Sequence, residues 1–545
     1  MSPTAEGPPA PDPGFRRTAS GWRWPACRPA ALAALAGAVA LAGALIWLIA
    51  LPRVGTDLPA GLTRAGWAGR YPGAGYLFAW YGGLYPVGYS LLAPYLLATF
   101  GTRASMAAAT VLSASLMGWL LARHRVPRAR AAAVWAAVAL CTELTAGRAS
   151  FTVALPAAFG CVLAAGTRPR AGSRWRARVK TAAVVMLALL TSMLSPVAGL
   201  FLAVAATALV VCGHRRQGLY MGLAATVPLS ITLAIPGTGR QPIGIQDLLL
   251  PLVAVAAVLA DVPRHWRVIR AGAAIYAVGT LAAWLLPTAV GANADRLGEL
   301  LAGPVLIGLA EPGRLLPAGL TATRRALSLL ALAGAAAWLA AQPTQDLAHG
   351  NAPAYEPQTA ALVRELRALH ADTARVEAVP QYGHWESYEL AGTVPLARGW
   401  ERQLDTARNP LFYSGTLTPA AYHAWLAFNA VRYVAISEAV PDSAARAETR
   451  LIRAGQPWLV PVWHDSYWRL YQVTGTLAIA SPPASITAYT PAMITLRMPR
   501  AGTALIRVHW SPQLGASGGA AVRRSGTWTT VTARRPGTYQ LTAPY

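Results

Sequence analysis

The sequence predicts a polytopic α-helical membrane protein that ends in a soluble region of α/β and β-sandwich structure. Of its 545 residues, 54% are hydrophobic and only 13% are charged, a balance more apolar than that of soluble domains. Apolar stretches of spanning length recur up to residue 341, and no later stretch is long enough to cross a bilayer. We therefore expect about eleven transmembrane helices plus one re-entrant or interfacial helix, followed by an extracytoplasmic part.

The chain begins with a tail, residues 1–29, whose Pro, Gly and small residues predict a disordered cytoplasmic segment. Arginines near its end precede the first apolar stretch, residues 30–51. This stretch is longer than the apolar core of a secretory signal peptide. We therefore predict a helix that stays in the membrane with its N-terminus in the cytoplasm.

The transmembrane domain is predicted to cover residues 30–341. Arginine-rich connectors separate its apolar stretches, and we expect them to face the cytoplasm because basic loops are retained on that side. Cytoplasmic basic loops account for the net charge of +25. We therefore expect the lipid bilayer as a partner and no binding of nucleic acid. The apolar stretches lie at residues 30–51, 104–122, 131–147, 149–166, 180–194, 197–212, 219–235, 247–260, 270–287, 299–311 and 326–341.

The first connector, residues 52–103, is predicted to be a long external loop. The basic connectors alternate correctly only if its apolar segment, residues 84–100, does not cross the bilayer. We therefore predict a re-entrant or interfacial helix there. The alternative is an ordinary extra span with one local exception to the charge rule.

The soluble region is predicted to contain two units. A helical period at residues 356–370, a helix at 419–429 and a strand pattern at 431–436 predict an α/β domain over residues 342–475. Alternating segments broken by Pro and Gly then predict a small β-sandwich-like domain over residues 476–545.

Cysteine and glycine patterns support neither a disulfide framework nor a nucleotide site. The four cysteines lie in or beside apolar segments without paired spacing. The sequence has no GxGxxG followed by a helix, no GxxxxGK[ST] and no DxD pair. These patterns favour a substrate that is not a sugar nucleotide.

Charged residues near helix ends gather on the face that this topology assigns to the outside. Asp57 follows the first helix, and Glu143 and Arg148 flank the turn between two apolar helices. Asp247 and Arg296 lie near the starts of later helices. Ionisable residues beside membrane segments are functional candidates, although each is also consistent with an interfacial anchor or an internal ion pair.

Three stretches resemble bacterial membrane proteins of the glycosyltransferase type C (GT-C) superfamily, in particular the YfhO-like group with a large extracytoplasmic C-terminal domain. The first joins Asp57 to the aromatic loop at residues 80–95. The second is Leu-Thr-Ala-Gly-Arg-Ala-Ser-Phe at residues 144–151, which is similar to the SGR-x-PF turn of such proteins. The third is the strand pattern at residues 425–434, which follows Asn-Pro-Leu-Phe-Tyr at residues 409–413.

The resemblance implies transfer of a sugar from a polyprenyl-phosphate donor to a cell-envelope glycan, lipid or protein acceptor on the outer face of the cell membrane. In such enzymes a first-loop aspartate is the general base for the acceptor hydroxyl, a role that maps onto Asp57. Cations hold the leaving phosphate, and Arg148 and Arg296 are the candidates for that contact. Many such enzymes have a second acid beside the first, whereas Thr56 and Leu58 flank Asp57 here.

This departure leaves three possibilities: a second carboxylate is supplied by Glu143 or Asp247, Asp57 works alone, or the activity has been lost. If a divalent metal takes part, oxygen ligands such as Asp57 favour Mg²⁺ or Mn²⁺ over zinc. Aromatic residues of the first loop could stack on sugar faces or seat the loop among lipid headgroups. The candidates for contact with the sugar or acceptor are Trp80, Tyr81 and Tyr85.

Two rival functions stay open on the sequence alone. A transporter or flippase would also need about a dozen helices, but no clear inverted repeat is present and the spanning segments carry almost no charge at mid-helix. A non-catalytic scaffold for cell-envelope assembly would leave Asp57 dispensable. Essential polar residues belong in the outer loops of a transferase and near the bilayer centre of a transporter.

Overall fold

The computed structural model describes residues 28–51, 54–167, 174–234, 239–286, 288–310, 321–349 and 355–544. The predicted tail therefore lies outside the described residues, apart from its last two positions. Much of two predicted basic connectors, at residues 168–173 and 311–320, lies outside them as well.

The N-terminal part of the chain is helical. Each of the eleven predicted apolar stretches coincides with a helix over most of its described residues, and two further helices, α2 and α3, belong to the first loop. The helices are α1 (Pro29–Ala50), α2 (Leu58–Arg70), α3 (Ala93–Phe100), α4 (Thr102–Arg123), α5 (Ala129–Ala146), α6 (Ala149–Gly166), α7 (Arg174–Leu194), α8 (Pro196–Val211), α9 (Arg215–Ala234), α10 (Ile245–Asp261), α11 (Arg267–Leu285), α12 (Arg296–Leu309) and α13 (Thr321–His349).

Seven of the described helices are long and apolar enough to cross a membrane: α1, α4, α5, α6, α7, α11 and most of α13. Helix α8 is apolar but has only 16 residues. Helix α12, with 14 residues, rises about 21 Å, which is less than the roughly 30 Å of a bilayer's hydrocarbon core. The chain thus has the helices of a membrane protein, while the predicted count of about eleven spans is not confirmed.

Small residues let the first helices pack closely. Helix α1 packs against α4 and α5, and its Ala36, Ala40 and Ala44, spaced four residues apart, are fully buried. On α4, a side chain at Gly118 would collide with the backbone of Leu32. Close backbone approach through small residues is how membrane helices gain packing energy without a hydrophobic driving force.

In the described part of the first loop, residues 54–101, neither helix is long enough to span a bilayer. The loop segment at residues 84–100 forms a 3₁₀ turn, Pro86–Gly88, and the eight-residue α3, which rises only about 12 Å. This result agrees with the prediction that the segment does not cross. Helix α2, between α1 and this segment, was not predicted.

The first C-terminal unit is an α/β domain close to the predicted one. A four-stranded sheet of order β1-β2-β4-β3 has β1 parallel to β2, and its other pairs are antiparallel. The elements are α14 (Tyr355–Ala368), β1 (Arg375–Ala378), α15 (Trp385–Leu390), α16 (Arg402–Arg408), α17 (Pro419–Phe428), β2 (Val431–Ser437), α18 (Arg446–Arg453), β3 (Leu459–His464) and β4 (Trp468–Val473).

The second C-terminal unit has two antiparallel sheets, of order β7-β10-β9 and β5-β6-β11-β8. Apolar side chains from both sheets share one core. The strands are β5 (Ser485–Thr490), β6 (Met493–Met498), β7 (Gly502–His509), β8 (Gly515–Ala516), β9 (Ala521–Ser525), β10 (Trp528–Ala533) and β11 (Gly537–Thr542). Two apposed sheets are what the alternating sequence segments predicted.

Residues 76–84 of the first loop, here called the clamp segment, join the helical part to both C-terminal units. Within it, Leu77 and Leu84 exchange backbone hydrogen bonds of 2.9 and 2.8 Å. Between them, the Phe78 amide donates to the Pro491 carbonyl at 2.7 Å, and the Leu396 amide donates to the Ala79 carbonyl at 2.8 Å. The clamp segment therefore forms backbone hydrogen bonds with both units.

The aromatic side chains of the clamp segment are part of two cores. Phe78 is fully buried in the core of the sandwich unit. Trp80 is fully buried among residues of the α/β unit, where its indole N–H donates to the Ser387 carbonyl at 3.2 Å. Burial of rings of this size contributes several kcal/mol to the attachment of the C-terminal region.

Replacing Trp80 by Ala should destabilise the attachment by about 3–5 kcal/mol, because it leaves a ring-sized cavity between the first loop and the α/β unit. Thermal unfolding of the purified protein should shift to lower temperature, and limited proteolysis should release the C-terminal region faster. Phe100→Ala is the control, since Phe100 is in the same loop but 70% exposed. Equal melting of the two variants would contradict this role of Trp80.

Candidate functional site

A polar cavity of about 290 Å³ lies where helix ends of the N-terminal part meet the α/β unit. Its size is close to the lower end of the roughly 300–1,000 Å³ typical of ligand pockets. Helix ends form its floor and residues 400–403 form its roof. Its charged and amide-bearing lining residues are Asp57, Arg64, Arg148, Gln241, Asp247, Asn293, Asp295, Arg296, Gln342, Glu401, Arg402 and Gln403.

Helix α2 presents one face to this cavity. Asp57 is its N-cap, and the lining residues Asp57, Ala60, Gly61 and Arg64 follow the i, i+3, i+4, i+7 spacing of one helix face. The Asp57 side chain is 28% exposed, so its carboxylate is accessible from the cavity. Helix α2, which was not predicted, therefore positions the predicted catalytic residue Asp57 at the cavity.

The backbone of Asp57 is fixed by the turn between α5 and α6. Its amide donates to the Ala146 carbonyl at 3.1 Å. Gly147, which follows Ala146, has a φ of +76°, and a Cβ on it would lie 2.7 Å from the Cβ of Leu58. Glycine supplies both the left-handed conformation and the room for this approach. The turn that carries Arg148 thereby also positions Asp57.

Arg296 is the ionic partner of Asp57. An Nη2 atom of Arg296 lies 3.6 Å from Oδ2 of Asp57, beyond the range of a normal hydrogen bond. The Arg296 guanidinium also lies 5.6 Å from the centre of the Phe151 ring, within cation–π range. Because the pair is long and one partner is exposed, a competing anion could displace Asp57 from Arg296 more easily than it could break a short, buried pair.

Arg148 is held by two buried carboxylates. Its Nη1 atom donates to Oε1 of Glu143 and Oε2 of Glu299, both at 3.2 Å. Glu143 is 1% exposed and Glu299 is 7% exposed. Since removing one member of a buried ion pair strands a charge, this triad ties α5, the turn after it and α12 together. The expected internal pair of Glu143 and Arg148 is present, with Glu299 as a partner that was not predicted.

The side wall carries two more carboxylates, Asp247 at the start of α10 and Asp295 in the turn before α12. Burial raises the pKa of Asp295 to about 7, and the negative charge of Glu299 adds to the effect while Arg148 opposes it. Near neutral pH, the Asp295 carboxyl group can therefore exchange a proton.

The roof is supplied by the segment that leads into α16. Arg64 of the first loop forms an ion pair and hydrogen bond with the Glu401 carboxylate, and both side chains are largely buried. Arg402 forms a bidentate pair with Asp442, with distances of 2.9 and 2.6 Å. Trp400 is stacked on the His384 imidazole, with ring centres 3.3 Å apart. The pair of Arg64 and Glu401 thus joins the roof to the first loop, while the other two contacts fix the roof within the α/β unit.

The structure brings four of the predicted site residues to this cavity: Asp57, Arg148, Arg296 and Asp247. Glu143 does not line it, because its carboxylate is buried behind Arg148. The structure therefore places Glu143, predicted as a possible second carboxylate, in an ion pair behind Arg148 and not at the cavity wall.

The predicted sugar contacts of the first loop also lie elsewhere. Trp80 and Tyr81 are buried in the clamp segment, and the Tyr81 hydroxyl donates to the Gly399 carbonyl at 2.9 Å. The Tyr85 hydroxyl bonds to the Ser511 hydroxyl at 2.9 Å. None of the three lines the cavity. They attach the C-terminal region instead, because rings that a loop presents to another unit gain more from burial than from exposure.

Sequence reasoning missed most of the roof and wall. Arg64 lies 337 residues before Glu401, and no local pattern pairs it with Glu401 or with the adjacent Arg402. The one available signal was Trp400 beside Glu401, since aromatic residues next to carboxylates are frequent in carbohydrate sites. Asp295 directly precedes Arg296 and could have been chosen with it.

The described residues contain no preformed metal-ion site. Within the described residues, no group of three or more His, Cys, Asp or Glu side chains is arranged to hold one. The cavity carboxylates Asp57 and Asp247 could contribute to a magnesium ion only together with oxygen atoms of a substrate.

Comparison with known proteins identifies no family. No protein-family model matches this sequence, and the curated proteins contain no significant match to it.

Replacing Gly147 by Ala should lower the thermal stability by about 1–3 kcal/mol, because alanine resists the left-handed conformation and its Cβ would collide with Leu58. Differential scanning fluorimetry of the purified protein measures this shift. Gly66→Ala in α2 is the control, since a Cβ there meets no atom within 4 Å and alanine favours helices. A Gly147→Ala variant as stable as Gly66→Ala would rule out the close approach.

Replacing Asp295 by Asn should raise the melting temperature more at pH 8 than at pH 5, by a few degrees. The folded protein holds the Asp295 proton up to a pKa of about 7, against 3.8 for an ordinary aspartate. The group's contribution to stability is therefore complete below about pH 4 and is lost as the pH rises through 7. The exposed Asp372→Asn serves as control, and a pH-independent difference for Asp295→Asn would exclude the raised pKa.

Proposed function

We propose that the protein is a membrane glycosyltransferase that moves a sugar from a polyprenyl-phosphate donor to an acceptor hydroxyl of the cell envelope. The observation that carries this proposal is the meeting of Asp57, Arg148 and Arg296 in one polar cavity at helix ends. A base and two guanidinium groups are what displacement of a phosphate by a hydroxyl needs.

We infer that this cavity faces outward. The arginine-rich connector before α5 lies at the far end of the helices, where the Arg128 amide donates to the Gly308 carbonyl at the end of α12, while α12 begins at the cavity. Basic connectors are retained in the cytoplasm, so the opposite end belongs to the outer leaflet. A polyprenyl chain could then stay in the lipid while its phosphate reaches the floor.

In the proposed reaction, the acceptor hydroxyl attacks the anomeric carbon of the donor sugar. The new C–O bond forms as the bond from the anomeric carbon to the phosphate oxygen breaks. Asp57 takes the hydroxyl proton, and the products are the glycosylated acceptor and the polyprenyl phosphate. Loss of a general base of this kind costs about 10² to 10⁴ in rate.

The long ion pair between Asp57 and Arg296 gives the donor a way to activate the base. The donor phosphate competes with Asp57 for Arg296, because guanidinium binds phosphate oxygens in bidentate fashion. When Arg296 turns to the phosphate, the Asp57 carboxylate is left for the acceptor hydroxyl. Donor binding and base activation are therefore one exchange of partners.

Arg148 has a different part in this proposal. Two buried carboxylates fix its guanidinium, so its charge is preorganised and does not move when the leaving phosphate gains charge. It acts as a rigid contact beside the exchangeable Arg296.

The position of the charges favours a transferase over a transporter. The cavity's charged residues occur at helix ends and in loops, and the roof comes from a separate unit, whereas transporter sites lie near the bilayer centre. A scaffold would not need an accessible carboxylate facing two arginines. Transport and scaffolding stay the alternatives that the following experiment separates.

Asp57→Asn should lower sugar transfer by two or more orders of magnitude, because the amide cannot accept the hydroxyl proton. The assay uses a radiolabelled polyprenyl-phosphate sugar and native membrane acceptors, at matched levels of folded protein. Asp372→Asn, a substitution of an exposed residue that does not line the cavity, should transfer like the wild type.

Arg296→Lys serves as a second variant, since it keeps the charge and loses the bidentate contact. We expect a higher KM for the donor. Equal transfer by wild type and Asp57→Asn, or none by the wild type, would refute the transferase and favour a transporter or a scaffold.

A further inference from the structure

We propose that three amide side chains of the cavity, Gln241, Asn293 and Gln403, form a site for the hydroxyl groups of a neutral sugar ring. We call these residues the amide cluster. The inference rests on the proposed transferase function and adds the chemical class of the ligand. Two of the amides come from loops between helices, and the third comes from the roof.

The amide cluster is internally bonded through one oxygen. Oε1 of Gln241 accepts from Nδ2 of Asn293 at 2.9 Å and from Nε2 of Gln403 at 3.0 Å. The remaining hydrogens of these two nitrogens go to the backbone carbonyls of Val290 and Ala289. These bonds fix which end of each amide is oxygen and which is nitrogen.

Backbone contacts hold the amide cluster in place. The backbone N–H of Gln241 donates to the backbone carbonyl of Thr288 at 3.0 Å. The backbone N–H of Arg240 donates to the backbone carbonyl of Gln403 at 3.1 Å. Gly291 has a φ of +49°, and a Cβ there would lie 2.7 Å from Cγ of Gln241. The close approach requires glycine, so this part of the wall is built around the Gln241 side chain.

The internal hydrogen bonds leave three polar side-chain atoms of the amide cluster without a partner. Among the described residues, Nε2 of Gln241, Oδ1 of Asn293 and Oε1 of Gln403 form no hydrogen bond. The amide cluster therefore offers one two-hydrogen donor and two acceptors. All three residues line the cavity, and Asn293 is only 7% exposed.

This set of groups matches a sugar better than an ion. A hydroxyl both donates and accepts, so a pair of neighbouring sugar hydroxyls can use a donor and an acceptor on the same wall. A phosphate offers no hydrogens to Oδ1 or Oε1, and a cation cannot use the Gln241 N–H groups. The charged floor and the neutral amide cluster thus divide the cavity into a phosphate part and a sugar part.

The test uses the full-length protein in nanodiscs and three neutral trisaccharides as probes: maltotriose, cellotriose and mannotriose. Saturation-transfer NMR measures their binding to wild type, Gln241→Leu and Gln403→Leu. Leucine keeps the approximate size and removes the hydrogen bonds, which should weaken binding about tenfold. Gln540→Leu, on the exposed face of β11, is the control and should bind like the wild type. Size-exclusion chromatography identifies any variant that does not fold.

The same variants in the sugar-transfer assay separate this inference from the proposed function. A rise in KM for the acceptor assigns the amide cluster to the acceptor sugar, and a rise in KM for the donor assigns it to the donor sugar. Binding by wild type that both leucine variants lose, without any transfer, would support the amide cluster and reject the transferase. Transfer with unchanged KM values in both folded variants, or no binding of any probe by the wild type, would overturn the inference.

Discussion

The clamp segment is the constraint on which the site depends. It belongs to the first loop, yet its rings are buried in the cores of two units that begin more than 250 residues later in the chain. The clamp segment also supports the roof directly. The Tyr81 hydroxyl donates a hydrogen bond to the Gly399 carbonyl and accepts one from the backbone N–H of Glu401 at 3.1 Å. The distance between the roof and Asp57 is therefore set by packing within one loop.

A second constraint fixes the floor. Gly147 lets the loop after α1 lie against the turn after α5, and the triad of Arg148, Glu143 and Glu299 ties that turn to α12. Buried charges of this kind are expensive to desolvate and add little net stability. Their cost is easier to understand if the position of Arg148 matters more than the stability of the bundle.

Composition and periodicity predicted much of the fold. Apolar runs of 13 to 22 residues leave few alternatives to helices, so the described parts of all eleven predicted stretches coincide largely with helices, and the strand at Val431–Ser437 was recognisable from its β-branched residues. The number of spans could not be derived, because helices such as α12 are too short for length alone to decide.

The site was predicted only on its membrane side. Asp57, Arg148 and Arg296 stand out because they are ionisable residues at helix ends on the predicted outer face, away from the basic connectors. The roof could not be found this way, since Arg64 and Glu401 are paired across 337 residues by tertiary packing alone. The packing of the clamp aromatics could not be predicted for a related reason: tryptophan and tyrosine in a loop have the same local pattern whether they contact lipid, sugar or another unit.

The charge balance of the cavity limits what it can bind. Four of its lining residues are acidic (Asp57, Asp247, Asp295 and Glu401) and four are arginines (Arg64, Arg148, Arg296 and Arg402), and all four arginines already have acidic partners. A phosphate gains no net attraction from such a wall and must replace an existing partner.

Among these pairs, the one between Arg296 and Asp57 is the longest and its carboxylate the most exposed, so its replacement costs least. The buried and bidentate pairs resist the same exchange. An anion entering the cavity is therefore directed to the one arginine whose release frees a carboxylate. Under the proposed function, this ordering of the ion pairs and the neutral amide cluster would together select a substrate that carries both a phosphate and a hydroxyl-rich ring.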